Sequence, residues 1–391
     1  MAWKIAQFSC DNTAWRSPGF DRIRAHAPRL LISQGDTPYC NAAYNLYGIN
    51  SAAFTAATTQ ADAEAKYLQW LSKPEVAALL ALRSSGMRAI WQPDDHEWAD
   101  NDWDHTNAEL GASFTSQALI NQHWARCCAA QDVTMATYWD NPAPNAAENT
   151  ERPSGALAEA QNPSATAYRI TYFIEDYDEV GTLLRQQVGP TAPEASGARV
   201  RIIYLDCISY RSPTAEAESG AKVMLGTQQM AWLQSALESA VAAGVAHVII
   251  SSTKKVYGSS ADNSDIWWFY QTERTALLTM IDATGAKPIW LSGDRHRLQV
   301  AEQRKSAGAL CDMIDICASP IAVAVVSVNP ASEGLLWHSP RQGYALHTVD
   351  GAGLRSEVRD SETGSVLWAA TFAAGSNVPT YDAGPSAVRI V

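Results

Sequence analysis

Residues 87–97 read MRAIWQPDDHE, a short apolar run from Met87 to Trp91 that halts at Pro93 and gives way to Asp94, Asp95, His96 and Glu97. An apolar run of this length bounded by polar turn residues reads as a buried strand. The same form recurs five times. Trp3 to Phe8 ends at Ser9-Cys10-Asp11, Arg29 to Ile32 at Gly35-Asp36, and Val200 to Leu205 at Asp206. Val245 to Ile250 ends at Ser251-Ser252-Thr253-Lys254, and Pro288 to Leu291 at Gly293-Asp294-Arg295-His296. Between these runs lie stretches at helical spacing: Glu64 to Arg83 with a break at Pro74, Thr227 to Ala243 with Met230, Leu233, Leu237 and Val241 on one face, and Asp265 to Ile281. Strand-helix-strand alternation predicts an α/β fold of sheets covered by helices, in which ligands sit beyond the carboxyl ends of the strands. Those ends carry the acids, the imidazoles and Cys10.

The remaining sequence fits around this frame. Asn141 to Ser164 and Gly189 to Gly197 read as loop insertions. Ala345 to Val349, Leu354 to Val358 and Val366 to Phe372 alternate polar and apolar residues around turns at Asp350-Gly351 and Glu362-Thr363-Gly364, which predicts antiparallel strands. We therefore expect one domain over residues 1–391, closed by a strand-rich segment at 320–391. Hydrophobic residues make up 47% and charged residues 18%, which excludes disorder and coiled coil, and no stretch approaches the ~20 unbroken apolar residues of a membrane span. The charge, 29 − 41 = −12, disfavours nucleic acid as a partner and supplies the acids that metal sites need. Cys10, Cys40, Cys127, Cys128, Cys207, Cys311 and Cys317 are odd in number and contain no CxxC, so neither a disulfide framework nor a structural zinc site is signalled. The opening MAWKIAQFSC has no n-region followed by an apolar h-region, which predicts a cytoplasmic chain, or a secreted or periplasmic one if a leader has been removed. Nothing in the sequence speaks to oligomeric state.

Gly35-Asp36-Thr37-Pro38-Tyr39 places an aspartate at a strand end and a tyrosine three residues on across a tight turn, so both can converge on one ion. A phenolate suits Fe(III), and a carboxylate can bridge two cations. Alone, Gly-Asp-x-Pro is also ordinary turn chemistry. Asp94-Asp95-His96-Glu97 is sharper, because three acids and an imidazole after an apolar strand repel and desolvate one another unless a cation or a reacting group is present. The bland alternative is a solvated corner with an aspartate capping a helix. In Gly293-Asp294-Arg295-His296 the acid and the imidazole lie two apart and face one side of an extended chain, which is ligand spacing, though a surface loop with a salt-bridged histidine reads the same way. Cys10 is either an inert buried thiol or a thiolate stabilised by a cation. Four such strand ends together point to a metal site. Tyr210-Arg211 and Lys254-Lys255 are candidate anion holders: Arg211 offers a guanidinium fork, although an exposed arginine more often solvates a face, and the lysine pair reads more as solvent-facing than functional. Trp98, Trp103, Trp267 and Trp268 are core packing or the wall of a pocket.

In order along the chain, FSC at 8–10, GDTPY at 35–39, DDHEWADND at 94–102, LDCISYR at 205–211, MLGTQQMAWL at 224–233, Trp268 with Glu273-Arg274, and LSGDRH at 291–296 resemble the PhoD-like alkaline phosphatases, of the calcineurin-like metallophosphoesterases. Weaker similarity continues through Ala318-Ser319-Pro320. The resemblance implies a four-layer αββα sandwich of two mixed sheets flanked by helices. It also implies a metal-dependent hydrolase of small-molecule phosphoric mono- or diesters that works through a metal-bound hydroxide. Carried over by position, Cys10, Asp36, Tyr39 and His296 would hold a ferric ion (Fe3+), with Asp36 bridging, while Asp95 and Asp294 would hold one or two calcium ions (Ca2+) or another divalent metal. Asp95 stands where related enzymes have asparagine, and an added carboxylate favours a hard cation. His96 would stand over the substrate as hydrogen-bond donor or leaving-group acid, Arg211 would hold phosphoryl charge, and Asn101 and Trp98 would contact substrate.

Two positions depart from the family pattern. Ile208 stands where Asp-x-Arg-x-Tyr-Arg expects arginine, and Asp100 where asparagine is common. Loss of one charge-assisted pair costs about 1.5 to 3 kcal/mol of phosphate binding, enough to change substrate preference. Two alternatives stand beside the phosphoesterase reading. One is another hydrolase on the same metals, such as a phosphotriesterase, nuclease or lactonase; the other is a binding protein that has lost turnover, to which only Ile208 points.

Overall fold

The structure, a computed structural model, describes residues 2–11, 16–39, 44–46, 49–51, 55, 57–97, 117–142, 172–189, 194–214, 216–259, 266–325 and 333–382. The first part of the chain supplies β1 (Trp3–Phe8), α1 (Pro18–Ala25), β2 (Leu30–Gln34), the short antiparallel pair β3 (Tyr44–Leu46) and β4 (Ile49–Ser51), α2 (Gln60–Leu71), α3 (Pro74–Leu80), β5 (Arg88–Gln92) and α4 (Gln117–Tyr138). Next come β6 (Phe173–Tyr177), β7 (Leu183–Val188), β8 (Val200–Tyr204), α5 (Gly226–Ala242), β9 (His247–Ser251), α6 (Gln271–Thr284) and β10 (Ile289–Ser292). The strands that follow are β11 (Leu298–Gln303), β12 (Met313–Ala318), β13 (Leu335–Ser339), β14 (Gly343–Asp350), β15 (Gly353–Asp360), β16 (Val366–Phe372) and β17 (Pro379–Tyr381).

Two mixed sheets result. One runs β17-β16-β15-β14-β1-β2-β5 and the other β13-β11-β12-β10-β9-β8-β6-β7. In the first sheet the parallel strands β1, β2 and β5 form one end and the antiparallel strands β14 to β17 the other, whereas in the second the parallel strands β8, β9, β10 and β12 are central with antiparallel strands at both flanks. The strand period of two sorts their side chains into layers. Ile5, Leu30, Ile32 and Ile90 face the other sheet and meet Val200, Ile202, Ile249 and Leu291 there. Their neighbours Ala6, Leu31, Ala89 and Trp91 face outward onto Phe20, Ile23, Trp70 and Leu79 of α1 to α3. On the opposite side Ile203, Val248, Ile250 and Trp290 lie under Trp232 and Leu233 of α5 and Leu277 and Ile281 of α6. Helix, sheet, sheet and helix make the four layers that the motif resemblance implies, and strands buried on both faces explain why the runs are continuously apolar.

Local chemistry sets the bounds. The predicted helix over Glu64 to Arg83 begins earlier, because Thr59 and Asp62 form a capping box, and Pro74 at the start of α3 divides it. The stretch from Asp265 to Ile281 opens on a 3-10 turn at Trp267–Phe269 before α6 begins. The predicted carboxyl-terminal strands form as β14 to β16, and β14 pairs antiparallel with β1 (Ile5 opposite His347), so this segment extends the first sheet. None of the described cysteines forms a disulfide, and among the described residues no helix is long and apolar enough to cross a membrane.

Candidate metal centre

The ends of β1, β2, β5, β9 and β10 open at one edge of the sandwich. Cys10, Asp36, Asp294 and His296 follow their strands with φ of 56°, 56°, 66° and 45°, left-handed backbone that non-glycine residues rarely adopt. Such conformations cost about 1 to 3 kcal/mol each and persist where surrounding structure over-determines them, which makes their gathering here a mark of a site. Backbone lacing supplies the constraint: Cys10 N donates to Gly35 O at 3.1 Å and Asp11 N to Asp36 O at 3.0 Å. Two glycines allow the loops to approach. A Cβ on Gly35, itself at φ +81°, would lie 2.3 Å from Asp94 Cβ, and one on Gly293 would lie 2.6 Å from the Gln34 carbonyl oxygen.

Two overlapping groups of ligand atoms meet between these loops. Cys10, Asp36 and His296 offer atoms all within 4.8 Å of one another, and so do Asp36, Asp94, Asp95 and Asp294. Asp36 is common to both. Its Oδ2 receives Cys10 Sγ at 3.2 Å and the Tyr39 hydroxyl at 3.3 Å, and that hydroxyl also hydrogen-bonds His296 Nε2. The structure therefore brings together all six positions that the motifs suggested as ligands, and adds Asp94. His96 is buried beside them, its ring 4.2 Å from that of Tyr39. Arg211 is buried in the loop after β8, which Asp206 shapes by accepting from Ile208 N at 3.0 Å and Ser209 N at 2.8 Å. Trp98, Asn101, Trp103 and Asp100 lie outside the described residues. Trp267 is core, edge-on to Trp290 at 6.1 Å.

The electrostatics favour a cation. Burial, then Asp95, Asp94 and Asp294, hold the Asp36 carboxyl well above the usual carboxylate range. Burial and then Asp36 raise the Cys10 thiol and the Tyr39 hydroxyl, while burial, His96 and Arg295 push His296 down to about 4. Clustered acids that cannot all ionise by themselves do so around a metal, which reverses the upward shifts of Asp36, Cys10 and Tyr39, while the neutral His296 imidazole is already the form that ligates. The donor sets fit such ions: a thiol, phenol, imidazole and carboxylate for one, and carboxylates alone for another.

The expected solvent-facing lysine pair is corrected. Lys254 and Lys255 are both fully buried, and Lys254 Nζ lies 2.9 Å from Asp94 Oδ2 and 3.4 Å from both Asp95 Oδ1 and Asp294 Oδ1. Carboxylates from two other strand ends remove the reason for a lysine to seek water. Glu97 also differs from its neighbours in the tetrad: it accepts from Thr37 N and, at 2.8 Å, from Asp94 N, fastening the β2 and β5 loops, and burial pushes it up to about 7. Ser319 donates to Cys10 Sγ at 3.0 Å and accepts from His296 N at 3.0 Å, a role for Ala318-Ser319-Pro320 that the residues alone did not reveal. Below the site, Gln7, Gln34 and Gln92 stitch the sheets: Gln34 Nε2 donates to Ser251 Oγ at 3.0 Å and Leu291 O at 2.8 Å, and Gln92 Nε2 to Leu205 O at 3.1 Å. Gln7 donates to Gln34 Oε1 and to Ser292 O. A glutamine near the end of three successive apolar strands was the available signal.

Other motif residues are structural. Gln229 trades two hydrogen bonds with the Asp206 backbone at 2.8 and 2.9 Å, and Glu273 accepts from the first amides of α5. Arg274 donates to Val256 O at 2.8 Å and lies over the rings of Tyr257 and Trp268.

A family model described as PhoD-like phosphatase matches residues 194–335. No curated protein matches the sequence. Among solved structures, the chain is similar to one described as the structure of PhoD, 14% identical over 98% of this chain and 72% of that one, with a TM-score of 0.68. It is more distantly similar to GAP50, the anchor in the inner membrane complex of Plasmodium, 11% identical over 95% of this chain and 89% of that one, at a TM-score of 0.46. The fold is that of PhoD, and residues 194–335, which carry Asp206, Arg211, Lys254, Asp294 and His296, match the PhoD-like phosphatase family model.

Proposed function

We propose that this chain hydrolyses phosphoric esters of small molecules with cations held by Cys10, Asp36, Tyr39 and His296 on one side and by Asp36, Asp94, Asp95 and Asp294 on the other. The observation that carries the proposal is the place of Asp36 in both groups of ligand atoms, as a bridging carboxylate requires. The first group suits a ferric ion, the second calcium or another hard divalent ion. Bound there, the cations supply an activated water for in-line attack on phosphorus and neutralise charge on the phosphoryl oxygens. The chain's own residues do the rest. His96, held against Tyr39, donates a hydrogen bond or proton on the leaving-group side, and Arg211 offers its guanidinium to the equatorial oxygens. Ile208, buried and apolar, provides no second guanidinium. A monoester carries one more negative charge than a diester and so loses more by this, which tilts the site toward diesters.

Elemental analysis of the purified protein, paired with hydrolysis of a chromogenic monoester and its matching diester before and after chelation, tests this reading. Iron with a divalent ion, and turnover that chelation abolishes, are the expected results, with the diester the better substrate. Protein free of metal, or hydrolysis indifferent to chelation, would sink it.

A further inference from the structure

We propose that Lys254 is a built-in cation of the carboxylate group, standing in place of a metal ion, so that the centre binds one divalent ion fewer than its carboxylates allow. The inference rests on the metal-centre reading above and deepens it. Lys254 comes from the loop after β9 and is fully buried. Its ammonium has three N–H donors and faces three carboxylates: Asp94 at 2.9 Å, Asp95 at 3.4 Å and Asp294 at 3.4 Å. Asp94 and Asp95 come from the first sheet and Asp294 from the second, so this one side chain joins loops of both halves. Asp36, the fourth carboxylate, is shared with the Cys10, Tyr39 and His296 side, where its Oδ2 accepts from Cys10 and Tyr39. A fixed ammonium within ~4 Å of a divalent ion weakens that ion's binding on the order of a hundredfold or more, so lysine and metal compete for the same oxygens.

Metal ions per chain are counted by elemental analysis after equilibration with iron and calcium and gel filtration, for the wild type and for Lys254→Met, which keeps the length and removes the charge. The wild type should retain no more than two ions per chain, and Lys254→Met should gain one divalent ion; Lys254→Arg, which keeps the charge, should count as the wild type. Calcium should also raise the melting temperature of Lys254→Met by more than that of the wild type, because its carboxylates then lack their fixed counter-ion. Three ions in the wild type, or an unchanged count in Lys254→Met, would overturn the inference while leaving the metallohydrolase intact. No metal in any of the proteins would remove both. Should Lys254→Met fail to fold, the wild-type count decides.

Discussion

His96 and Asp36 are neighbours in the site with separable duties. His96 belongs to neither group of ligand atoms, whereas Asp36 belongs to both. His96→Ala should therefore keep its metal and lose turnover by about 10²- to 10⁴-fold, the usual contribution of a positioned acid or hydrogen-bond donor. Asp36→Asn should lose metal and activity together, since an amide cannot bridge two cations. Metal content measured beside turnover separates the two, and a fully loaded, active Asp36→Asn would reject the centre outright. At this scale the sequence was most informative where a residue type is costly in its local setting. Asp36, Asp94 to Glu97 and Asp294 to His296 follow apolar strands, so their burial and mutual repulsion are visible in the chain itself. Lys254 was not legible, because what buries it is three carboxylates brought from other strands. Ser319 was hidden for the same reason: its partners, Cys10 and His296, are distant in sequence.

Elements were legible where pattern and neighbourhood agreed. The six apolar runs became β1, β2, β5, β8, β9 and β10, shifted by two residues or fewer at either end. Phe173–Tyr177 and Met313–Ala318 were missed because each carries acids that look like loop residues. In the fold Glu175 pairs with Arg88 at 2.6 Å, Asp176 with Arg201 at 2.7 Å, and Asp315 accepts from Ser292 Oγ at 2.6 Å. Charge satisfied across strands cannot be read from one strand. The same holds at the start of α5, whose first amides have no cap from their own sequence and take Glu273 of α6 instead: Leu225 N at 3.1 Å, Gly226 N at 3.0 Å, and Met224 N. Glu273→Ala should destabilise the chain by about 2 to 4 kcal/mol, more than an ordinary cap, because three buried donors lose their acceptor at once. Chemical denaturation measures the loss. A change below ~0.5 kcal/mol would mean that water replaces the carboxylate there.

The sandwich buries titratable groups within its layers, and these set its behaviour toward acid. His347 on β14 lies fully buried between the layers, with Nδ1 2.8 Å from Ser356 Oγ and Nε2 3.1 Å from Gln7 Oε1, and burial pushes it down to about 3. In the unfolded chain it takes a proton near pH 6.5. Its contribution to stability is therefore complete above pH 6.5 and is lost as pH falls from there toward 3, at about 1.4 kcal/mol per pH unit. His247, pushed down to about 4 by burial and Arg199, acts in the same direction. Asp11 and Asp315, raised to about 6 chiefly by burial, act in the opposite one: their contribution is complete below the unfolded carboxyl pKa and is lost as pH rises through about 6. The wild-type pH profile sums these opposed effects, so the test must isolate one residue. His347→Gln keeps a donor and an acceptor at the position and cannot be protonated. Between pH 7 and pH 5 the wild type should lose about 2 kcal/mol more unfolding free energy than His347→Gln, while both lose or gain equally from every other group. Denaturant melts at the two pH values, made with chelated protein so that metal loss is common to both, give the difference directly. Equal losses would mean that the folded protein protonates this histidine as readily as the unfolded chain does, so that burial between the sheets does not hold it neutral.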